Sequence, residues 1–151
     1  MKPEEFQFLA QLLKKRSGLT LTDDKVYLIE SRLLPIARSQ GLQDISQLCT
    51  LLKTKPTETL LVEIVEAMTT NESSFFRDIK PYEQLRNIIF PMQMERLSAQ
   101  KSMRIWSAAC STGQEPYSIA ICIQEDQAKL AGWRFEIIGT DLAKKVVDKA
   151  K

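Results

Sequence analysis

Residues 104–120 read RIWSAACSTGQEPYSIA, and this stretch decides the fold. It begins with the strand-forming residues Ile105 and Trp106, continues through small residues to Gly113, and then shows apolar residues at helical spacing. Pro116 suits the first turn of that helix, where its missing N–H costs nothing. A strand, a loop of small residues and a helix N-terminus form the unit that holds nucleotide-like cofactors in doubly wound sheets, because small side chains let the backbone approach the ligand.

A second strand follows at the distance expected for such a unit. The apolar run at residues 135–138 leads into Asp141, which places an acid at the carboxyl end of the strand. An acid about 20 residues beyond the glycine-rich turn commonly binds ribose hydroxyls, and Glu115 is expected to face the same pocket. Only Gly113 is present in the turn and a GxGxxG pattern is lacking. Two strands and a helix without any ligand therefore remain an alternative.

The composition excludes several kinds of site. The chain has 151 residues, no histidine and a net charge of +2. Without histidine, catalytic triads, histidine bases and most zinc sites are excluded, and the small net charge argues against a nucleic-acid-binding surface. Cys49, Cys110 and Cys122 lack paired metal-ligand spacing, so unpaired thiols and no metal site are expected. Cys110 is interpreted as a small filler of the loop. Trp106 is interpreted as a core residue, and the alternative is that Trp106 and Tyr117 stack on an adenine ring.

No segment of the sequence indicates export or membrane insertion. No apolar run approaches the ~20 residues of a membrane-spanning helix. The first residues, MKPEE, lack the basic and then apolar profile of a signal peptide. A cytoplasmic protein is therefore expected.

Residues 1–68 have the apolar periodicity of an all-helical bundle. Capping and helix-breaking residues divide this region into four helices. Pro35 is expected to kink or end the second helix. The predicted boundary residues, each at a helix end, are Gly18, Thr22, Asp44 and Thr57.

Residues 69–80 are polar and lie between two helical patterns, as a linker would. Adjacent bulky aromatics are unusual in a mobile linker, so Phe75 and Phe76 are expected to pin this segment to the core. The helix that follows is expected to break at Pro91.

Two motifs resemble one known family. Residues 107–118, SAACSTGQEPYS, resemble the cofactor loop of the CheR family of chemotaxis-receptor glutamate methyltransferases. Residues 68–78, MTTNESSFFRD, resemble that family's second signature. The resemblance extends over all 151 residues, which correspond to about the first half of a full-length member.

The resemblance implies a multi-domain protein of α plus α/β class. An N-terminal all-helical bundle at residues 1–68 would be followed by a signature linker at 69–80. Residues 81–151 would then form the first β-α-β portion of a truncated, Rossmann-like methyltransferase domain.

By the same resemblance, the protein is an enzyme that methylates glutamate side chains of chemoreceptors during bacterial chemotaxis adaptation. The methyl donor would be S-adenosyl-L-methionine (SAM) and the product S-adenosyl-L-homocysteine (SAH). A carboxylate is already an adequate nucleophile and the sulfonium carbon is strongly electrophilic, so positioning and desolvation would replace acid–base catalysis. Arg77 is the catalytic candidate, orienting either the donor's carboxylate or the substrate glutamate. The implied cofactor-binding residues are Asn71, Ser73, Arg77, Glu115 and Asp141.

The helix from Lys25 to Arg38 corresponds to the basic helix with which the family is thought to meet the receptor. Lys25, Arg32 and Arg38 are the candidate receptor-binding residues, and the partner would be a chemoreceptor cytoplasmic domain. Acidic neighbours dilute the charge, so a solvated polar face is the alternative interpretation.

Only two strands are expected before the chain ends at Lys151, whereas a parallel sheet needs more. The chain is therefore interpreted as a fragment, inactive alone and prone to self-association through its exposed strand edges. Two other functions are considered: a helical receptor- or regulator-binding module with a vestigial α/β part, and an unrelated nucleotide-binding βαβ protein.

Overall fold

Four α-helices form the first of two units in the structure. The computed structural model describes residues 1–151, which divide into the units Met1–Thr70 and Asn71–Lys151. A 3₁₀ turn, Asp23–Lys25, precedes the second helix. The four helices are α1 Pro3–Ser17, α2 Val26–Ser39, α3 Ile45–Thr54 and α4 Glu58–Met68.

Helix boundaries in this unit follow from the capping chemistry. α1 ends at Ser17 and is capped by Gly18, whose N–H donates to the Lys14 carbonyl and whose φ of 76° turns the chain out of the helix. The Asp44 carboxylate and the Thr57 hydroxyl each accept a hydrogen bond from a backbone N–H three residues further on, at 2.8 and 3.3 Å. These three predicted boundaries are confirmed. Thr22 differs, because its hydroxyl donates to the Asp24 carboxylate and caps no backbone group.

The apolar stripes of the four helices form one core. α2 continues through Pro35 to Ser39, so of the predicted kink or end at this proline the end is wrong. A proline inside a helix costs about 3 kcal/mol. Burial of neighbouring apolar residues on α2, before and after Pro35, offsets this cost. The large side chains with 0% exposure in this core are Leu9, Leu13, Ile29, Leu33, Leu48 and Ile64.

The second unit contains a β-α-β arrangement preceded by a helical segment. Strands β1 Ser102–Ala108 and β2 Arg134–Thr140 pair in parallel, with Ser102 opposite Arg134 and Ala108 opposite Thr140. The predicted parallel pairing and the predicted α plus α/β class are confirmed. The helices of this unit are α5 Lys80–Gln84, α6 Phe90–Arg96, α7 Gln114–Glu125 and α8 Lys144–Ala150.

Alternate residues of β1 point to opposite faces of the sheet. Met103 and Ser107 are buried on one face, whereas Trp106 on the other face is 69% exposed. The indole Nε1 of Trp106 donates to the Thr140 hydroxyl at 2.9 Å. The prediction of a core position for Trp106 is therefore wrong, since strand alternation places it on the face that α7 does not cover.

Pro91 lies inside a continuous helical segment that runs from α5 to α6. A π turn, Leu85–Ile89, separates the two, and the Phe90 N–H donates to the carbonyl of Leu85, five residues earlier. The wider turn makes room for the proline ring, which would clash with the carbonyl four residues before it in a regular α-helix. The predicted break at Pro91 is wrong. Even with this continuation, no helix of the chain is both long and apolar enough to cross a bilayer.

An ion pair ties the π turn to the end of α7. Arg86 donates from Nε and Nη2 to the carboxylate of Asp126, at 2.7 and 2.9 Å. These hydrogen bonds hold the pKa of Asp126 below its usual value of 3.8. Because the folded-state pKa is lowered, the stabilisation is fully present above the unfolded value and is lost as the pH falls through the folded pKa.

We expect the wild-type protein to lose thermal stability more steeply than an Arg86→Met variant between pH values of about 5 and about 2. The variant is less stable at neutral pH because it lacks the ion pair with Asp126. It therefore has no such ion pair to lose when Asp126 is protonated in acid. Circular dichroism melts across this range measure the difference. Arg96→Met, which removes an exposed guanidinium bound only to Gln93, is the control. Parallel curves for wild type and Arg86→Met would contradict the prediction.

Candidate functional site

The loop between β1 and α7 turns sharply through residues with positive φ. Ala109 has a φ of 67°, Ser111 of 49° and Gly113 of 98°. The Gly113 N–H donates to the Cys110 carbonyl at 3.0 Å, and α7 begins at the next residue. The loop therefore brings the helix N-terminus to the carboxyl end of the sheet, where cofactors bind in this type of fold.

Cys110 fills the space beneath this loop. Its side chain is 3% exposed, and a Cβ added at Gly139 would lie 3.0 Å from its sulfur. Burial raises the pKa of the Cys110 thiol, which disfavours the thiolate required for nucleophilic attack. Cys110 is thus the packing residue that the sequence predicted, and its close approach explains the glycine opposite it.

Asp141 connects the loop to the start of α8. Its Oδ2 accepts the Ser111 N–H at 2.8 Å, and its Oδ1 accepts the Ala143 N–H at 2.9 Å. A carboxylate oxygen has two acceptor sites, so each oxygen can accept a second hydrogen bond from a ligand hydroxyl. The backbone interactions also fix the orientation of the carboxylate.

Glu115 lies in the first turn of α7, where the helix dipole stabilises its negative charge. The Ser107 hydroxyl donates to its Oε1 at 2.7 Å. Ser107 is 1% exposed at the end of β1, whereas Glu115 itself is exposed. A buried serine therefore orients an exposed carboxylate beside the loop.

The segment 71–77 contacts the cofactor loop and α7. The Ser111 hydroxyl donates to the Asn71 carbonyl at 2.8 Å, and the Phe76 N–H donates to the Ser118 hydroxyl at 3.0 Å. The Phe76 ring packs edge-on against Tyr82, with ring centroids 5.2 Å apart. Phe75 is 56% exposed, so only one of the two phenylalanines anchors the segment as predicted.

Arg77 and Ser73 occupy the same segment. The Arg77 Nη1 donates to the Glu72 carbonyl at 2.8 Å, and the side chain is exposed. This contact uses one of five guanidinium N–H groups, which leaves the others able to bind a carboxylate. Ser73 is half-buried.

Ser111 links two of the predicted cofactor residues, because its hydroxyl binds Asn71 and its backbone N–H binds Asp141. Sequence reasoning missed the contributions of Ser107, Ser111 and Ser118. For two of them a signal existed: Ser107 occupies an inward-facing position of β1, and Ser118 lies on the apolar stripe of α7. A serine at a buried position must find a hydrogen-bond partner, so these two positions indicated contacts with other segments.

The three predicted receptor-binding residues lie on or just before α2. Arg32 donates to the carbonyls of Met68 and Thr69 at 2.9 and 3.1 Å, so much of its guanidinium caps the end of α4. Lys25 forms an ion pair with Asp24 at 2.9 Å. Arg38 is exposed.

A separate cavity of about 330 Å³ lies between α7, β2 and α8. Tyr117, Ile137 and Val147 contribute to its apolar lining. None of the predicted cofactor residues lines this cavity. The candidate site is therefore the loop and its carboxylates, outside this cavity.

Two family models match the chain and together cover nearly all of it. Residues 4–69 match "CheR methyltransferase, all-alpha domain", and residues 71–151 match "CheR methyltransferase, SAM binding domain". The boundary between the two matches coincides with the boundary between the two structural units.

Curated relatives agree with these matches. The chain is 36% identical over 150 residues to "Chemotaxis protein methyltransferase Cher2" of Pseudomonas putida, covering 97% of the chain and 54% of the relative. It is 36% identical to "Chemotaxis protein methyltransferase 1" of Vibrio cholerae, covering 98% and 54%. A Salmonella typhimurium "Chemotaxis protein methyltransferase" is 32% identical, with 97% and 48% covered. The chain thus spans about half the length of these relatives.

Proposed function

The chain belongs to the CheR methyltransferase family, and on this premise we propose that it serves in the SAM-dependent methylation of chemoreceptor glutamate side chains during chemotaxis. One observation carries the proposal. At the carboxyl end of two parallel strands, the loop before α7 is bracketed by the carboxylates of Asp141 and Glu115, and Ser111 joins it to Asn71.

The chemistry of these residues fits SAM. The Asp141 and Glu115 carboxylates supply acceptors for the hydroxyl and amino groups of a nucleoside amino acid, and both lie beside the loop at the carboxyl end of the sheet. Bound SAM supplies an electrophilic methyl group. We propose Asn71, Ser73, Arg77, Glu115 and Asp141 as the donor-binding residues.

In this proposal the protein positions the reactants and performs no acid–base step. A glutamate carboxylate needs no base to act as a nucleophile, which agrees with the absence of histidine from the chain. Arg77 is the proposed catalytic residue, since its remaining N–H groups can orient a carboxylate by charge-assisted hydrogen bonds.

A chemoreceptor is the proposed protein substrate, and the basic residues on and just before α2 are the proposed docking residues. Arg38 is exposed and presents positive charge at the surface, whereas the charge of the half-buried Lys25 is paired with Asp24. Arg32 contributes less, because it already binds the end of α4. The division into residues 1–68, 69–80 and 81–151 stays a prediction.

We expect Arg77→Met in the full-length protein to lower methyl transfer to a purified chemoreceptor cytoplasmic domain by roughly tenfold to a hundredfold, the effect of losing a charged hydrogen bond worth about 1.5–3 kcal/mol. The measurement is kcat/KM with labelled SAM, beside calorimetric titration with SAH. A matched fall in SAH affinity assigns Arg77 to the donor's carboxylate, whereas unchanged SAH affinity assigns it to the substrate glutamate.

Arg96→Met, which removes an exposed arginine of α6, is the matched control and is expected to leave both values unchanged. Failure of the wild-type protein to bind either SAM or SAH would contradict the proposed function. If the protein binds the receptor without SAM and never transfers a methyl group, the result would instead support the alternative function, a helical receptor-binding module.

A further inference from the structure

We propose that Ser111 and Ser118 are positioning residues that hold the segment 71–76 against the cofactor loop and thereby set the affinity for the methyl donor. We call them the serine pair. The inference rests on the proposed function, because it assigns to these serines an effect on donor binding. Neither residue needs to touch the donor for this effect.

Ser111 joins three parts of the second unit. Its hydroxyl donates to the Asn71 carbonyl at 2.8 Å, and its N–H donates to Asp141 Oδ2 at 2.8 Å. Ser111 is 6% exposed, whereas Asn71 and Asp141 are half-buried, so both hydrogen bonds are partly shielded from water. Ser111 therefore fixes the position of segment 71–76 relative to the carboxylate of Asp141, the proposed ribose-binding group.

Ser118 forms the second attachment, on α7. Its hydroxyl donates to the Gln114 carbonyl at 2.7 Å and accepts the Phe76 N–H at 3.0 Å. Ser118 is 0% exposed and Phe76 is half-buried, so a side chain without the hydroxyl removes the acceptor of the Phe76 N–H at a partly buried position. The pair thus attaches the segment at both ends, through Asn71 and through Phe76.

The backbone that the serine pair holds is strained. Six non-glycine residues of the chain have positive φ, and all except Lys101 lie between residues 76 and 79 or in the cofactor loop. Phe76 has a φ of 52° and Ser111 a φ of 49°. Non-glycine residues keep such conformations only where surrounding contacts enforce them, and they concentrate at ligand-binding sites. The two hydrogen bonds that attach the segment to the serine pair, at Asn71 and at Phe76, are among these enforcing contacts.

Release of one attachment lets the segment relax into unstrained conformations. The arrangement that presents Asn71, Ser73 and Arg77 beside the loop is then populated for only a fraction of the time. Apparent affinity falls in proportion to that fraction, even though every donor-contacting side chain is still present. The serine pair therefore controls binding by preorganisation.

The test is Ser118→Ala, with two independent readouts. Hydrogen exchange of the Phe76 amide, measured by NMR on the 151-residue chain, is expected to accelerate at least tenfold, because that amide loses its acceptor. Calorimetric titration of the full-length protein with SAH is expected to show affinity lowered about tenfold. Ser118→Thr, which keeps the hydroxyl, is expected to restore both values.

Ser74→Ala is the matched control, because Ser74 is an exposed serine in the same segment. It should change neither readout. The double variant Ser111→Ala, Ser118→Ala is expected to lose less affinity than the two single effects combined, since the first release already frees the segment. If the loss of affinity in the double variant equals the sum of the two single losses, the serines act separately and the paired role is overturned.

The possible results distinguish failure of the positioning role from failure of the proposed function. If wild type binds SAH and Ser118→Ala binds it equally well, the positioning role is overturned, even where the melting temperature falls. If the wild-type protein binds neither SAM nor SAH, the proposed function fails. In that case accelerated Phe76 exchange in Ser118→Ala would still support the attachment, while unchanged exchange would overturn it.

Discussion

Replacing Asp141 with alanine is expected to weaken binding of SAM and SAH to the full-length protein equally, by roughly tenfold to a hundredfold. Both ligands carry the same ribose, and the lost hydrogen bonds to a charged acceptor are worth about 1.5–3 kcal/mol. Calorimetric titration with each ligand measures the effect. A change confined to one ligand would contradict a ribose-binding role for Asp141.

The structure adds a second consequence for this variant. Asp141 also accepts the N–H groups of Ser111 and Ala143, and each loses its acceptor when the carboxylate is removed. An unsatisfied buried donor costs about 1–3 kcal/mol, so thermal stability should fall as well. Asp148→Ala, at an exposed position of α8, is the control and should leave ligand affinity intact. A loss of stability with unchanged affinity would restrict Asp141 to a structural role.

Gly113→Ala is expected to destabilise the second unit by about 2–6 kcal/mol, from two effects that add. The φ of 98° at this position lies beyond the left-handed region that other residues tolerate. In addition, a Cβ here would lie 3.2 Å from the ring of Tyr117 and 3.2 Å from the Cβ of Ala150. Urea unfolding of the 151-residue chain measures the loss.

Gly132→Ala separates the two effects. Gly132 has a φ of 79°, and a Cβ added there would meet no atom within 4 Å. This variant should therefore show only the conformational cost, about 1–3 kcal/mol. Equal losses for the two variants would show that crowding by Tyr117 and Ala150 contributes nothing at Gly113.

Local features of this chain were predictable from the sequence because neighbouring residues encode them. Gly18, Asp44 and Thr57 mark helix ends through contacts with backbone groups a few residues away. The two strands and α7 follow from the spacing of apolar residues and from the small-residue loop. The two quoted motifs were sufficient to indicate the family, which the comparisons then showed.

Errors arose where an environment formed by distant residues overrode a local rule. α2 continues through Pro35 because apolar residues before and after this proline are buried in the bundle core. The helix at Pro91 continues because the π turn makes room for the proline ring. Trp106 has the composition of a core residue, but strand alternation places it on the exposed face. Neither the periodicity nor the motif indicates which face of a sheet is covered.

Only the tertiary structure decided how the candidate site is held together. The Ser111 hydroxyl reaches Asn71 across 40 residues of sequence, its N–H reaches Asp141 across 30, and Phe76 reaches Ser118 across 42. Sequence patterns report on neighbours along the chain, whereas these hydrogen bonds depend on packing that brings separate segments within 3 Å. The sequence therefore identified residues that can bind a donor, and the fold determined which buried serines orient them.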